Sequence, residues 1–214
     1  MAAADDIVVE VIVWDGSFFK TKNPCGHVTT KITKNGIPYS YSLEDDPNPK
    51  VVCNTESFNL LEKHEQSLRD GFGFNLNVTQ EQAREIFLMM QTTFHGYKTK
   101  NCNYDTLNNN CTYAIQVALK KSGVQLHPII SNHFKSLQVN SNQTILPSYF
   151  EEGILKTKNN NAWLVKEIIQ YKKGLNNGDF VKTDEIELLF DLKAIRSSDG
   201  WYSTDSAYKS TLLW

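Results

Sequence analysis

The Asn35-Gly36 pair constrains the fold of this chain more than any other feature, because it lies between two segments rich in β-branched and aromatic residues. Asn-Gly favours a type I′ turn, whose twist matches that of two antiparallel strands. The pair therefore predicts a β-hairpin with strands over Val28–Lys34 and Ile37–Leu43. A two-residue turn also sets the register, so that Lys34 faces Ile37.

Local patterns predict three further elements in the first half of the chain. Ile7–Trp14 is rich in Val and Ile and alternates with the period of a strand. Gly71–Val78 alternates in the same way. The segment 80–94 has apolar residues at helical spacing, and Thr79 and Gln82 before it form the pattern of a capping box. These patterns predict two strands and a helix.

A second helix-forming pattern opens at Cys111. The residues that share its apolar face are Cys111, Ala114, Ile115, Ala118 and Leu119. Asn109 or Asn110 can cap the start of this helix, and Gly123 is suited to the position just after its end. We therefore expect Cys111 in the first turn, on the buried side.

The chain changes in character near residue 157. Residues 156–161, "KTKNNN", have the composition of a linker, and helical patterns follow at 162–173 and 184–195. We expect an α+β fold in which a domain over 1–157 carries a C-terminal helical extension over 158–214, packed on the domain.

Composition and charge exclude several classes of protein. The chain has 214 residues, of which 40% are hydrophobic, so a packed core is expected. A formal net charge of −2 argues against a broad basic surface for nucleic acid. No apolar run approaches the roughly 20 residues of a transmembrane helix, and "MAAADD" lacks the basic segment of a secretory signal. The four cysteines show no CxxC spacing, so a zinc site is not expected. The cysteine chemistry considered next needs no metal and no organic cofactor.

Cys111 is the residue with the most distinctive chemical position. Unsatisfied N–H groups at a helix N-terminus favour a thiolate, and they can also stabilise an oxyanion beside the sulfur. These properties suit a nucleophile. The alternative interpretation is a small buried side chain that only packs.

A cysteine nucleophile needs a base, most often histidine. His27 lies at the start of the first hairpin strand, where a rigid backbone can hold the imidazole. The predicted register places Glu44 opposite His27, with Ser42 as its diagonal neighbour and Ser40 further along the same face. A group that orients the imidazole should come from these three side chains. His64 is the alternative base.

Two short motifs resemble the circularly permuted papain-like superfamily, which includes NlpC-type cell-wall peptidases and lecithin:retinol acyltransferase-like enzymes. The motifs are "GHV" at Gly26–Val28 and "NNC" at Asn109–Cys111, with the histidine strand before the cysteine helix. The resemblance covers about residues 7–155. It implies a small antiparallel sheet packed against helices, with Cys111 as nucleophile and His27 as base. The third polar group would come from the next strand, where this chain offers Ser40, Ser42 and Glu44.

The resemblance also implies a class of reaction. A cysteine hydrolase of this kind would cleave an amide bond, here most suitably in peptidoglycan stem peptides. Together with the absence of a signal, this is similar to antibacterial type VI secretion effectors, which are made in the cytoplasm, act in the target cell's periplasm and have a cognate immunity protein. The alternatives are an acyl-ester or thioester hydrolase or acyltransferase, a deamidase or protease of host proteins, and a non-catalytic binding module.

Overall fold

The structure is a computed structural model that describes residues 6–14, 26–43, 50–52, 66, 69–99, 110–127, 147–173 and 178–181. The elements in chain order are β1 (Ile7–Trp14), β2 (His27–Lys34), β3 (Ile37–Ser42), β4 (Lys50–Val52), β5 (Gly71–Leu76), α1 (Gln80–Lys98), α2 (Tyr113–Lys121), α3 (Pro147–Leu155), β6 (Lys158–Asn159), β7 (Ala162–Trp163), β8 (Val165–Tyr171) and β9 (Gly178–Val181). The fold is α+β, as predicted. None of the described helices is long and apolar enough to span a lipid bilayer.

Seven of the described strands form one antiparallel sheet in the order β4-β3-β2-β1-β5-β8-β9. The predicted hairpin lies on one side of β1, with Lys34 opposite Ile37. Its turn residues Asn35 and Gly36 have φ angles of 51° and 77°. These are the left-handed values that a type I′ turn requires, so the predicted turn and register are both confirmed.

One face of the sheet packs against the helices and forms the main core. Alternate residues of β1 lie on this face, and the aromatic and aliphatic residues of β5 continue it. The core residues of these two strands are Ile7, Val9, Val11, Val13, Phe72, Phe74 and Leu76. The alternation predicted for both strands is therefore observed: alternate residues lie on the sheet face that packs against the helices.

The opposite face is also buried, and the glycines of β5 make this possible. Ile12, Trp14, Ile169 and Tyr171 form a second apolar cluster there. The Trp14 and Tyr171 rings lie 5.4 Å apart between centroids. A Cβ atom added at Gly71 would lie 2.5 Å from the Trp14 ring, so only glycine leaves the space that this indole occupies.

A buried charge also lies on this second face. Glu10 is 3% exposed; its carboxylate accepts a hydrogen bond of 2.7 Å from the Tyr171 hydroxyl and lies 3.3 Å from Lys31 Nζ. Because the two carboxylate oxygens have separate partners, the cost of burying the charge is offset by a hydrogen bond and an ion pair.

The helix α1 connects the sheet to α2. It begins with the predicted capping box between Thr79 and Gln82, and it continues one turn beyond the predicted end, to Lys98. Phe94 packs against Tyr41 of β3, with ring centroids 5.2 Å apart. Residues of α1 therefore pack with residues of both β3 and α2 in one hydrophobic core.

The prediction of a linker at 156–161 and a helix over 162–173 is wrong. Residues 158–163 form the hairpin β6–β7, whose turn residues Asn160 and Asn161 have φ angles of 50° and 64°. Asparagine tolerates this left-handed conformation, so a stretch with the composition of a linker is a tight turn. Val165–Tyr171 is a strand because its residues pair with β5.

The sequence of β8 is compatible with both a helix and a strand, for a physical reason. Val165, Ile168 and Ile169 have helical spacing, yet β-branched side chains in a short apolar run are equally suited to a buried strand. The pairing with β5, about 95 residues earlier, decides between them. The predicted helix over 184–195 lies outside the described residues, and the domain boundary after residue 157 stays a prediction.

Candidate functional site

The first residue of β2 is His27, and its ring is held by the next strand. His27 is 4% exposed and follows Gly26, whose φ of 79° lets the chain turn into the strand. His27 Nε2 and Ser42 Oγ lie 2.7 Å apart, within hydrogen-bond distance. This contact fixes the plane of the imidazole and engages one of its two nitrogens.

The contact with Ser42 agrees with the register predicted from the Asn35-Gly36 turn. Ser42 pairs with Thr29, two residues along β2 from His27, so it is the expected diagonal neighbour. Ser40 is buried on the same strand face but pairs with Lys31, one step further from His27. Glu44, predicted opposite His27, lies outside the described residues.

Trp14 supports the same end of the sheet. It pairs with His27 across β1 and β2, and its indole Nε1 donates a 2.9 Å hydrogen bond to Thr29 Oγ1. Thr29 in turn pairs with Ser42 across β2 and β3 and lies two residues from His27. Sequence analysis did not identify Trp14 or Thr29 as neighbours of the site, because their positions depend on how β1 pairs with β2, and no turn chemistry in the sequence sets that register.

Cys111 lies in a tight turn before α2. It is 9% exposed and carries a reduced thiol. The helix begins at Tyr113 with Thr112 as its N-cap, so the prediction that Cys111 lies within the first helical turn is wrong by two residues. The predicted apolar face is confirmed, because Ala114, Ile115, Ala118 and Leu119 are all buried.

The later start of α2 has its cause in Asn110. The Asn110 side-chain oxygen accepts hydrogen bonds from the Thr112 backbone N–H at 3.0 Å and from the Thr112 hydroxyl at 2.7 Å. The Asn110 carbonyl accepts from the Tyr113 N–H at 3.0 Å. These bonds close an Asx-type turn around Cys111. The prediction that Asn110 is the N-cap is wrong, because the N-cap is Thr112, and Asn110 instead holds the turn before it. Asn109 lies outside the described residues.

The sheet faces determine how the predicted residues are distributed. His27 and Ser42 share a face with Trp14, whereas the next residue, Val28, lies on the main core face. Cys111 belongs to the same core cluster as Val28. The structure thus brings His27 and Ser42 together and places Cys111 in the core cluster to which Val28 also belongs.

The other sequence predictions concern bases and metals. His64, the alternative base, lies outside the described residues. In the part of the chain that the structure describes, no three His, Cys, Asp or Glu side chains converge into a group that could hold a metal ion.

A family model described as the Lnb N-terminal periplasmic domain matches residues 50–139 of this chain. The matched segment contains β5, α1 and the Cys111 turn, and it excludes His27 and Ser42. The match therefore covers only the cysteine part of the candidate site. No curated protein sequence matches the chain significantly.

Among solved structures, the chain is similar to the crystal structure of the type VI secretion system effector TseH. The TM-score is 0.51 and the sequence identity 12%, and the alignment covers 85% of this chain and 100% of that one. At this identity the likeness concerns the arrangement of strands and helices rather than individual residues. This chain has the fold of TseH over most of its length.

Proposed function

We propose that this protein is a cysteine hydrolase of the permuted papain-like type that cleaves an amide bond in peptidoglycan stem peptides. The observation that carries the proposal is the 2.7 Å contact between His27 Nε2 and Ser42 Oγ, because it holds the imidazole of the expected base in one orientation. A histidine oriented by a third polar group is the arrangement that activates a thiol nucleophile.

In the proposed mechanism, Nε2–H of His27 donates to Ser42 Oγ and Nδ1 is the nitrogen that exchanges protons. Nδ1 takes the proton of the Cys111 thiol, and the thiolate attacks the amide carbonyl carbon. The backbone N–H of Cys111 and a neighbouring donor bind the resulting oxyanion. The imidazolium then protonates the leaving amine as the C–N bond breaks, which leaves a thioester on Cys111.

The second half of the reaction restores the enzyme. His27 Nδ1 takes a proton from a water molecule, whose oxygen attacks the thioester carbonyl. The C–S bond breaks, the carboxylic acid leaves, and the proton returns to the sulfur. Neither half requires a metal or an organic cofactor.

We propose further that the protein acts as an antibacterial effector in the periplasm of a target cell, where peptidoglycan lies, and that a cognate immunity protein protects the producer. The similarity of the fold to a type VI secretion system effector and the partial match to a periplasmic domain both favour this compartment.

The compartment can be tested in growing cells. The chain should be toxic when a cleavable leader directs it to the periplasm and harmless when expressed in the cytoplasm.

The direct test is digestion of purified peptidoglycan, with mass spectrometry of the released fragments. The native chain is expected to release fragments with new amine and carboxyl termini. Cys111→Ala is expected to lower the rate at least about a thousandfold while leaving the circular dichroism spectrum unchanged, because the nucleophile is lost from a turn that Asn110 organises. Undiminished release by the folded Cys111→Ala chain would refute the proposal.

A further inference from the structure

A groove lies between the β2–β3 turn and α1, at the other end of β2 from His27. Its volume is about 430 Å³, and its lining includes Lys34, Ile37 and Tyr39 from the hairpin and Arg84, Phe87 and Leu88 from α1. Arg84, Phe87 and Leu88 lie three and four positions apart, so they share one face of the helix. We call this feature the hairpin–α1 groove.

The lining of the groove is mixed: Ile37, Tyr39, Phe87 and Leu88 lie beside the polar residues Lys34, Asn35, Arg84 and Gln91. The rings of Tyr39 and Phe87 pack edge to face with centroids 5.0 Å apart. Ile37 is 50% exposed and Leu88 54% exposed. They are two of the three large hydrophobic side chains exposed in the described part of the chain, and the third, Trp163, lies under the ammonium group of Lys158. The groove therefore has one exposed aliphatic side chain on the hairpin and one on α1, where an apolar group of a partner could lie between them.

The charge of the groove is positive. Lys34 and Arg84 contribute to its lining, and no Asp or Glu is found among its described lining residues. Lys34 Nζ lies 5.7 Å from the centroid of the Phe87 ring, so the cation and the aromatic floor are adjacent. The whole chain has a formal net charge of −2, and the groove therefore differs in sign from the molecule that carries it.

We propose that the hairpin–α1 groove docks an acidic segment of a partner protein, with an apolar side chain of that segment between Ile37 and Leu88 and its carboxylates near Lys34 and Arg84. Both requirements come from the groove itself, since Ile37 and Leu88 can hold a hydrophobic anchor between them and the two cations select the charge around that anchor.

The groove is separate from the candidate catalytic site. His27 is the first residue of β2 and Lys34 the last. A strand rises about 3.3 Å per residue, so the two ends lie roughly 23 Å apart. A partner segment in the groove would therefore leave the His27 end of the sheet uncovered, and its binding does not depend on the hydrolase activity proposed above.

The test is a selection of random twelve-residue peptides displayed on phage against the whole native chain, with counter-selection on the Lys34→Glu, Arg84→Glu double variant. The matched control is Lys120→Glu with Lys121→Glu, which reverses two exposed lysines on α2, outside the groove. Recovered peptides are synthesised with a fluorophore, and their affinities are measured by anisotropy, together with that of an all-glutamate peptide.

We expect recovered peptides to contain Asp or Glu around a large apolar residue. Their affinity should fall at least about tenfold in the groove variant and stay unchanged in the Lys120, Lys121 control and in Cys111→Ala. Leu88→Ser should weaken binding as well, because it removes the apolar wall. Failure to recover peptides that distinguish the two chains would overturn the proposal. Equal binding of all-glutamate peptide would also overturn it, because charge alone would then explain the attraction.

Discussion

At the scale of single residues, the contact between His27 and Ser42 limits the orientation of an imidazole at the start of β2. The ring is buried, paired across the sheet with Trp14, and held at Nε2 by Ser42. Each of these contacts limits the orientations of the ring. The diagonal position of Ser42 could be predicted because a two-residue turn sets the register of its hairpin.

Replacing Ser42 with alanine tests the orienting role. We expect Ser42→Ala to lower kcat for peptidoglycan cleavage about tenfold, since one hydrogen bond of about 1.4 kcal/mol corresponds to that factor. Ser40→Ala is the matched control, because Ser40 is equally buried on the same strand face but pairs with Lys31. Rates for both variants come from fragment release, with thermal unfolding measured alongside. An equal loss of kcat in the two variants would count against Ser42.

At the scale of elements, the turn at Asn35 and Gly36 is the clearest case of local chemistry that determines structure. Both residues have left-handed φ angles, and Asn35 Oδ1 also accepts a 2.9 Å hydrogen bond from the Asp6 backbone N–H. The turn therefore connects the tip of the hairpin to the start of β1. Nothing lies within 4 Å of a Cβ atom added at Gly36, so a substitution there tests backbone conformation alone.

A β-branched residue at this position should therefore destabilise the fold without any steric clash. We expect Gly36→Val to lower the free energy of unfolding by about 1–2 kcal/mol, because L-residues pay this cost for left-handed φ angles. Gly36→Asn should cost less, since asparagine tolerates the conformation. Urea denaturation of the three chains measures both changes. Equal stability of the valine variant and the native chain would contradict the turn assignment.

The elements that sequence analysis missed depend on distant partners. The capping box of α1 and the alternation of β1 are local, and both are predicted correctly. The spacing of β8 suits either a helix or a strand, and only its pairing with β5 makes it a strand. The β6–β7 hairpin cannot be predicted locally for a different reason: its Asn-Asn turn has the same composition as a linker.

At the scale of the whole molecule, β8 makes part of the C-terminal segment integral to the sheet. Ile168 is 1% exposed, pairs with Phe74 and belongs to the same core cluster as β1 and α1. A residue beyond position 157 therefore contributes to the packing of the segment before it. The described strands are expected to unfold together, in one cooperative transition.

Truncating Ile168 tests this cooperation. We expect Ile168→Ala to cost about 2–5 kcal/mol, because it leaves a cavity in the main core. Lys166→Ala truncates an exposed side chain two residues before Ile168 and should cost less than about 0.5 kcal/mol. Far-UV circular dichroism and tryptophan fluorescence during urea denaturation should give coincident curves for each chain. Two separate transitions, with only one shifted by Ile168→Ala, would contradict a single folding unit.

Packing on the second sheet face limits which residues β5 can contain. Gly71 and Gly73 of β5 leave space for the side chains of the neighbouring strands, Trp14 and Tyr171 among them. Trp14 in turn donates to Thr29 beside the His27–Ser42 contact. The candidate base is therefore supported by packing on its own face, while the Cys111 turn is supported from the helical core.

We propose that Cys111 is a nucleophile that His27 activates. The measurement is labelling of the folded protein with limiting iodoacetamide between pH 5 and pH 9, with mass spectrometry to identify the cysteine that reacts. We expect Cys111 to label faster than the other three cysteines, to stay reactive below pH 7 because an imidazolium favours the thiolate, and to slow in His27→Ala but not in His95→Ala. A Cys111 that reacts only after denaturation would contradict the claim and make it a packing residue.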